Sequence, residues 1–341
     1  MRTRSTLLAT AFTTVFTTAF TAVFTTALAC APAAAAPTAT AGPAGPAART
    51  VPVSTASQLK AALAAAAPGD TIRLADGTYT GNFKATTAAR PDARITLTGS
   101  PAAVLRTGTG GGNALHLDGA AHWTVHGITL THAQKGIMID AAPGVVVDSV
   151  TVHGLTMEGV HFRRSSSDGL IRGSRIYDTG RDGRGMGEGV YVGTANTLTD
   201  RSDRVRILDN TIGPWVRGEA VDLKEGTTGG RVAGNTFDGT GLTGANYDDS
   251  WIDVKGNGYV IEGNRGVNTT NNGFEVHTQD PGWGCGNVFR ANHADLTGAT
   301  GPNRYAIHAP HHSAACPTTV TADNTRTGGA ALVTPGVPVV G

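Results

Sequence analysis

Three short stretches decide the fold: Ala220–Lys224 (AVDLK), Trp251–Lys255 (WIDVK) and Gly273–His277 (GFEVH). Each carries two apolar residues two positions apart: Val221 and Leu223, Ile252 and Val254, Phe274 and Val276. One residue set therefore faces a core and the other faces out, as in a strand. Working outward, the same pattern recurs in Gly136–Asp140 (GIMID), Gly159–Arg163 (GVHFR), Gly189–Gly193 (GVYVG) and Arg304–His308 (RYAIH). Aligned on Ile137, Val160, Val190, Val221, Ile252, Phe274 and Tyr305, the segments repeat every 22 to 31 residues. A period in this range marks a solenoid, in which each repeat buries its apolar face only against its neighbours. The expected fold class is all-β: a single parallel β-helix over 51–341 with an N-terminal capping helix.

Parallel stacking puts equivalent residues of successive coils about 4.8 Å apart. The first outward column then reads Met138, His161, Tyr191, Asp222, Asp253, Glu275, Ala306, and the second reads Asp140, Arg163, Gly193, Lys224, Lys255, His277, His308. Two residues before the anchor, a third column reads Glu158, Glu188, Glu219, Ser250, Asn272, Asn303. Like charges at such spacing repel. The chemistry is expected where acids and lysines stack in this way.

Glycine is abundant at 47 residues and the net charge is +1, so no global field favours nucleic acid or an anionic membrane. Arg2 and Arg4 followed by an Ala/Thr/Phe/Leu stretch to Leu28 have the form of a secretory signal, cleaved between 29 and 36. Ala27 stands where a lipoprotein motif at Cys30 would want Leu, which argues against lipidation. Residues 37–50 read as a Pro/Ala-rich spacer. The mature protein is expected to be secreted. Its two cysteines, Cys285 and Cys316, lie eleven residues after Phe274 and Tyr305 respectively, so they should stack and form a disulfide.

Thr55 and Gln58 form a capping box before an alanine-rich helix that stops near Gly69, and a strand over Thr71–Leu74 follows. Asn210, Asn235, Asn264, Asn292 and Asn324 follow the second strand of successive coils, with Ser149 and Ser174 in that place earlier. Such amides should bond one another up a ladder.

With its opening helix, PGDTI–LADGTY segment, parallel coils and asparagine ladder, the chain resembles the secreted right-handed β-helix enzymes of the pectate-lyase-like superfamily. The opening is closest to the chondroitinase B and alginate lyase branch. The hallmark motifs of polygalacturonase hydrolases are missing. The resemblance implies a polysaccharide lyase that cleaves a uronate-containing glycan by calcium-assisted β-elimination. Such an enzyme needs a cation against the uronate carboxylate and a base beside the adjacent proton. Calcium takes six to eight oxygen ligands, and Glu188, Glu219, Asp222 and Asp253 are the candidates. In chondroitinase B-like lyases a calcium-ligating Glu precedes the base lysine by five residues, and Glu219 to Lys224 matches that spacing. The family's partner arginine has no clear equivalent, so Lys255 or His277 would replace it. Repulsion between Lys224 and Lys255 should lower at least one ammonium's pKa. Arg163, Arg217, Tyr191, Trp251 and Glu275 are the expected substrate contacts.

Three alternatives stay open. A glycoside hydrolase could use Asp222, Asp253 and Glu275, whose spacings of one and two strand steps touch the retaining and inverting ranges. A non-catalytic glycan-binding solenoid could use Trp215, Trp251 and Trp283 as platforms. The charged columns could also be a solvated face of weak ion pairs. The expected partner is an acidic polysaccharide, met by a monomer with neither nucleic acid nor membrane involved.

Overall fold

The structure, a computed structural model, describes residues 48–341. The signal segment, Cys30 and all but the last residues of the spacer lie outside the described residues. Three parallel sheets of twelve, ten and ten strands wind through the described chain, and each coil crosses all three. One coil, for example, runs through Val221–Leu223, Arg231–Ala233 and Thr236–Asp238. No described helix is long and apolar enough to cross a membrane.

The inward residues stack one coil on the next. Ile137 lies opposite Val160, Val160 opposite Val190, Val190 opposite Val221 and Val221 opposite Ile252, all fully buried. At the N-terminal end the helix Ala56–Ala64 lays buried Leu59 and Leu63 over the first coil. Its Thr55 cap and Gln58 complete the expected capping box. Covering that end removes an open strand edge, which would otherwise recruit another chain.

The ladder of side-chain amides forms as the spacing predicts. Asn210 Nδ2 donates to Asn235 Oδ1 at 2.9 Å, Asn235 to Asn264 at 2.9 Å, Asn264 to Asn292 at 3.0 Å and Asn292 to Asn324 at 2.9 Å. Each amide oxygen also accepts the backbone N–H one coil back, so the buried turn leaves few polar groups unpaired.

The last of the seven repeats departs from the expected register by two residues. Phe274 pairs with Ile307, and Glu275 with His308, rather than with Tyr305 and Ala306. Ile307 fills the core, while the Tyr305 ring stacks on His308 at 5.5 Å between ring centres. A slip of two preserves the in–out alternation, so the hydrophobic pattern alone could not detect it. Cys285 and Cys316 are nevertheless bonded, with an S–S distance of 1.97 Å and Cα atoms 4.6 Å apart. Their alignment comes from the next sheet, where Asn287 pairs with Thr318, and not from the shared eleven-residue interval.

Candidate active site

Four neighbouring strands, Val190–Val192, Val221–Leu223, Ile252–Val254 and Phe274–Val276, place Tyr191, Asp222, Asp253 and Glu275 in one row across the sheet. The three acids face away from the core yet are only 1–5% exposed. The lysines two residues further along each strand close over them. Lys224 Nζ sits 2.5 Å from Asp222 Oδ2, while Lys255 Nζ reaches Asp222 Oδ1 at 3.3 Å and bonds Asp253. His277 Nδ1 takes the other Asp253 oxygen at 2.7 Å, and its Nε2 lies 3.6 Å from Glu275. The result is an alternating chain of charge: Lys224, Asp222, Lys255, Asp253, His277, Glu275.

This alternation decides the protonation states. Burial alone would lower the Lys255 ammonium, but Asp222, Asp253 and Glu219 outweigh it and raise the pKa well above the usual value. The lowering expected from stacked lysines does not occur at Lys255, because carboxylates lie between the two ammonium groups. Burial likewise opposes charge on Asp253, and Lys255 and His277 overcome it, holding that carboxyl far below its usual range. His277 follows the same logic: burial lowers it, Asp253 raises it, and it settles at about 8. Glu275 is pushed up to about 7 by burial and by Asp249. On the opposite flank of the row, Lys224 Nζ lies 5.1 Å from the centre of the Tyr191 ring. Burial, then Asp222 and Glu188, raises the Tyr191 phenol, which keeps its proton across the neutral range.

At the strand mouths Glu158, Glu188 and Glu219 are all buried, but they meet different partners. Glu158 pairs with Lys135 at 2.9 Å, which with His161 holds its carboxyl down at about 2 despite burial. Glu188 and Glu219 have no ion-pair partner among the described residues. Burial, with Asp222 next, pushes Glu188 up to about 8 and Glu219 well above its usual value. One oxygen each from Glu188, Glu219 and Asp222 gathers within 4.8 Å. Glu188 and Glu219 are hard oxygen donors without an ion-pair partner among the described residues and suit a divalent cation such as calcium, whereas Asp222, already bonded by Lys224 and Lys255, would share its oxygens with the ion. Asp253 stands apart from that group, engaged by Lys255 and His277.

Trp251 is a correction. It was expected to touch substrate, but it is fully buried and its Nε1 donates to Val267 O at 3.0 Å. The residue before each anchor points into a corner of the coil, and glycine holds that place at 136, 159, 189 and 273. A Cβ on Gly273 would sit 2.7 Å from the indole, so the ring fits only because that residue and Gly266 leave room. Arg163 is held by Asp140 through two bonds, and Arg217 pairs with Asp178 at 3.0 Å. Neither is joined to the lysine–acid row by a bond. Sequence reasoning did not single out Asp249, which raises Glu275, and it placed His161, whose ring meets Tyr191 edge-on at 4.3 Å, in the first outward column without a role. Asn272 was placed in the third column without a role, and its amide bonds Glu275. The signal for it was its place in that column, two residues before an anchor.

A family profile described as a right-handed β-helix region matches residues 113–280. The crystal structure of an alginate lyase from Paenibacillus sp. str. FPU-7 shares 40% sequence identity, with 85% of this chain and 99% of that one covered and a TM-score of 0.78. Pectate lyase Pel9A superposes with a TM-score of 0.63 over 84% of this chain and 77% of its own, and at 14% identity it shows the shared fold alone. No curated protein sequence gave a significant match. Identity of that order over almost the whole of the Paenibacillus structure, together with the coil architecture, means that this chain belongs to the right-handed parallel β-helix proteins of the pectate-lyase-like superfamily, in the family of that alginate lyase.

Proposed function

We propose that the protein is a secreted polysaccharide lyase that cleaves a uronate-containing glycan by β-elimination, with the row from Tyr191 to Glu275 as its active site. The observation that carries this reading is the Tyr191–Lys224 contact beside a fixed cationic pair, Lys255 and His277, in a chain 40% identical to an alginate lyase. Secretion is supported by the disulfide and by the form of residues 1–36.

Elimination from a uronate needs three tasks performed at once. Lys224, once neutral, takes the C5 proton on Nζ. The electron pair of that C–H bond becomes the C4=C5 double bond, the C4–O4 bond breaks, and O4 leaves with its electrons. Tyr191, kept protonated by its surroundings, donates to O4 and recovers a proton from the Lys224 ammonium beside it. Proton transfer by a positioned group contributes about 10²–10⁴-fold. Charge that builds on the uronate carboxylate meets His277, which Asp253 orients and keeps cationic near neutral pH, while Lys255 holds the two aspartates together. Calcium, held by Glu188, Glu219 and Asp222, would supply further positive charge against that carboxylate and against the Lys224 proton. The hydrolase reading is disfavoured because Asp222 and Asp253 are buried and bonded by Lys224, Lys255 and His277, which leaves Glu275 without a free carboxylate partner.

The test is incubation with polymannuronate, polyguluronate and polygalacturonate while following the ultraviolet absorbance of the conjugated C4=C5 product. Absorbance growing with new chain ends supports elimination. New reducing ends without that chromophore would replace the lyase by the hydrolase reading. Calcium is tested separately by titration calorimetry of the wild-type protein and of Glu219→Gln. Absence of calcium binding to the wild type would remove the ion from the proposal.

A further inference from the structure

Two large aromatic side chains stand in solvent among the described residues, Trp215 at 50% and Tyr247 at 85% exposure. Both lie on the rim that leads into the site strands. Trp215 precedes Glu219 by four residues, and Tyr247 ends a short turn, Ala245–Tyr247, just before the strand Ile252–Val254. The loops that carry them are tied together. Trp215 N donates to Thr240 O at 2.5 Å, and Trp215 O accepts from Thr179 N at 3.0 Å. Asn246 Nδ2 reaches Gly185 O at 3.3 Å, so the Tyr247 turn is anchored on the loop that precedes Glu188.

The backbone holds both rings in conformations that bulky residues rarely adopt, with φ 65° at Trp215 and φ 67° at Tyr247. Burial would be the ordinary fate of a tryptophan in a chain this poor in aromatics, and Trp123 and Trp251 do fill the core. The Arg217 guanidinium lies 5.8 Å from the centre of the Trp215 ring. A flat apolar face beside a guanidinium fits a sugar ring that carries a carboxylate.

We propose that Trp215 and Tyr247 form a stacking site for a sugar of the acidic glycan lying beyond the cleavage position, with Arg217 engaging that sugar's carboxylate through Nε and Nη2, since the bond to Asp178 uses Nη1. The proposal rests on the lyase reading and adds to it a preference for long chains. Its consequence is that kcat/KM rises with oligomer length until the substrate reaches this rim.

The experiment compares trimers and octamers of mannuronate and guluronate on the wild type, Trp215→Ala and Tyr247→Ala. Octamer affinity is also read by calorimetry in the Lys224→Ala background, where no turnover interferes. The expected result is a roughly tenfold fall in octamer affinity and in the octamer-to-trimer kcat/KM ratio, the scale of one anchoring aromatic at an interface. Trp215→Phe retains a ring and should recover most of the ratio. It also covers the case in which Trp215→Ala fails to fold, while Tyr247 at its exposed tip tolerates replacement. An unchanged ratio in Trp215→Ala and Tyr247→Ala, with unsaturated products still forming, would overturn the stacking site and leave the lyase reading intact. Binding of neutral glucan oligomers in preference to any uronate, with no unsaturated product, would overturn both.

Discussion

At the scale of single residues, the proposed function rests on how one row of charges is shared. Lys224 has one carboxylate partner and Tyr191 as its other neighbour, whereas Lys255 is locked between two aspartates. Lys224→Ala should therefore cost about 10²–10⁴-fold in kcat with oligomer affinity retained, and Tyr191→Phe should act on the same scale. Steady-state kinetics on a confirmed uronate substrate checks both, and full activity of either variant would remove that residue from the mechanism. In the proposed mechanism Lys255 holds the two aspartates rather than reacting, and its removal, which unpairs a buried charge, should cost about 3–5 kcal/mol of stability. His277 gives an independent readout. Burial pulls its pKa down and Asp253 holds it up at about 8. Asp253→Asn should shift the imidazole titration to lower pH when followed by NMR, and an upward shift would show that Asp253 does not set the histidine's charge.

At the scale of elements, the coils are joined by ladders whose members are interchangeable in type but not in position. Asn264 sits in the middle of the amide ladder. Its side chain bonds Val232 O at 2.9 Å and Asn292 Oδ1 at 3.0 Å, and accepts from both nitrogens of Asn235. Truncation to alanine leaves buried donors and acceptors unpaired, each costing about 1–3 kcal/mol. Asn264→Ala should lower the free energy of unfolding in urea by at least about 2 kcal/mol, and Asn324→Ala, at the ladder's end, by less. Equal, negligible losses at both positions would mean that water replaces the amides without cost. The same register logic explains the corner tryptophan. A strand pattern reports which way residues alternate, but the residue before the anchor belongs to a turn, where direction depends on the space left by Gly266 and Gly273 on neighbouring coils.

At the scale of the whole molecule, buried ionisable groups tie stability to pH. Glu188, Glu275 and His277 all have folded pKa values above their usual ones, at about 8, 7 and 8. The native state therefore binds more protons than the unfolded chain, and the stability these groups contribute is complete below their ordinary values and lost as pH rises toward 8. Glu158, held down at about 2, works the other way and contributes above its ordinary value, with loss only in strong acid. Calcium-free protein should thus lose melting temperature between about pH 4.5 and pH 8, and calcium should flatten the decline by favouring ionised Glu188 and Glu219. Melting curves across that window, with and without calcium, decide the matter; a flat calcium-free profile would mean that these carboxyls are not buried as described. The parallel coils, the stacking of Tyr191, Asp222, Asp253 and Glu275 with Lys224, Lys255 and His277 beside them, the capping helix and the asparagine ladder were legible in the order of residues. All of these follow from a short repeat whose in–out alternation and spacing are properties of the chain. Contacts between coils set the rest: the two-residue slip of the seventh repeat, the burial of Trp251, the pairing of Arg163 with Asp140 and of Arg217 with Asp178, and the sign of the Lys255 shift. Each of those depends on distances between side chains of different coils and on how much water is excluded, and neither quantity is carried by the order of residues along one strand.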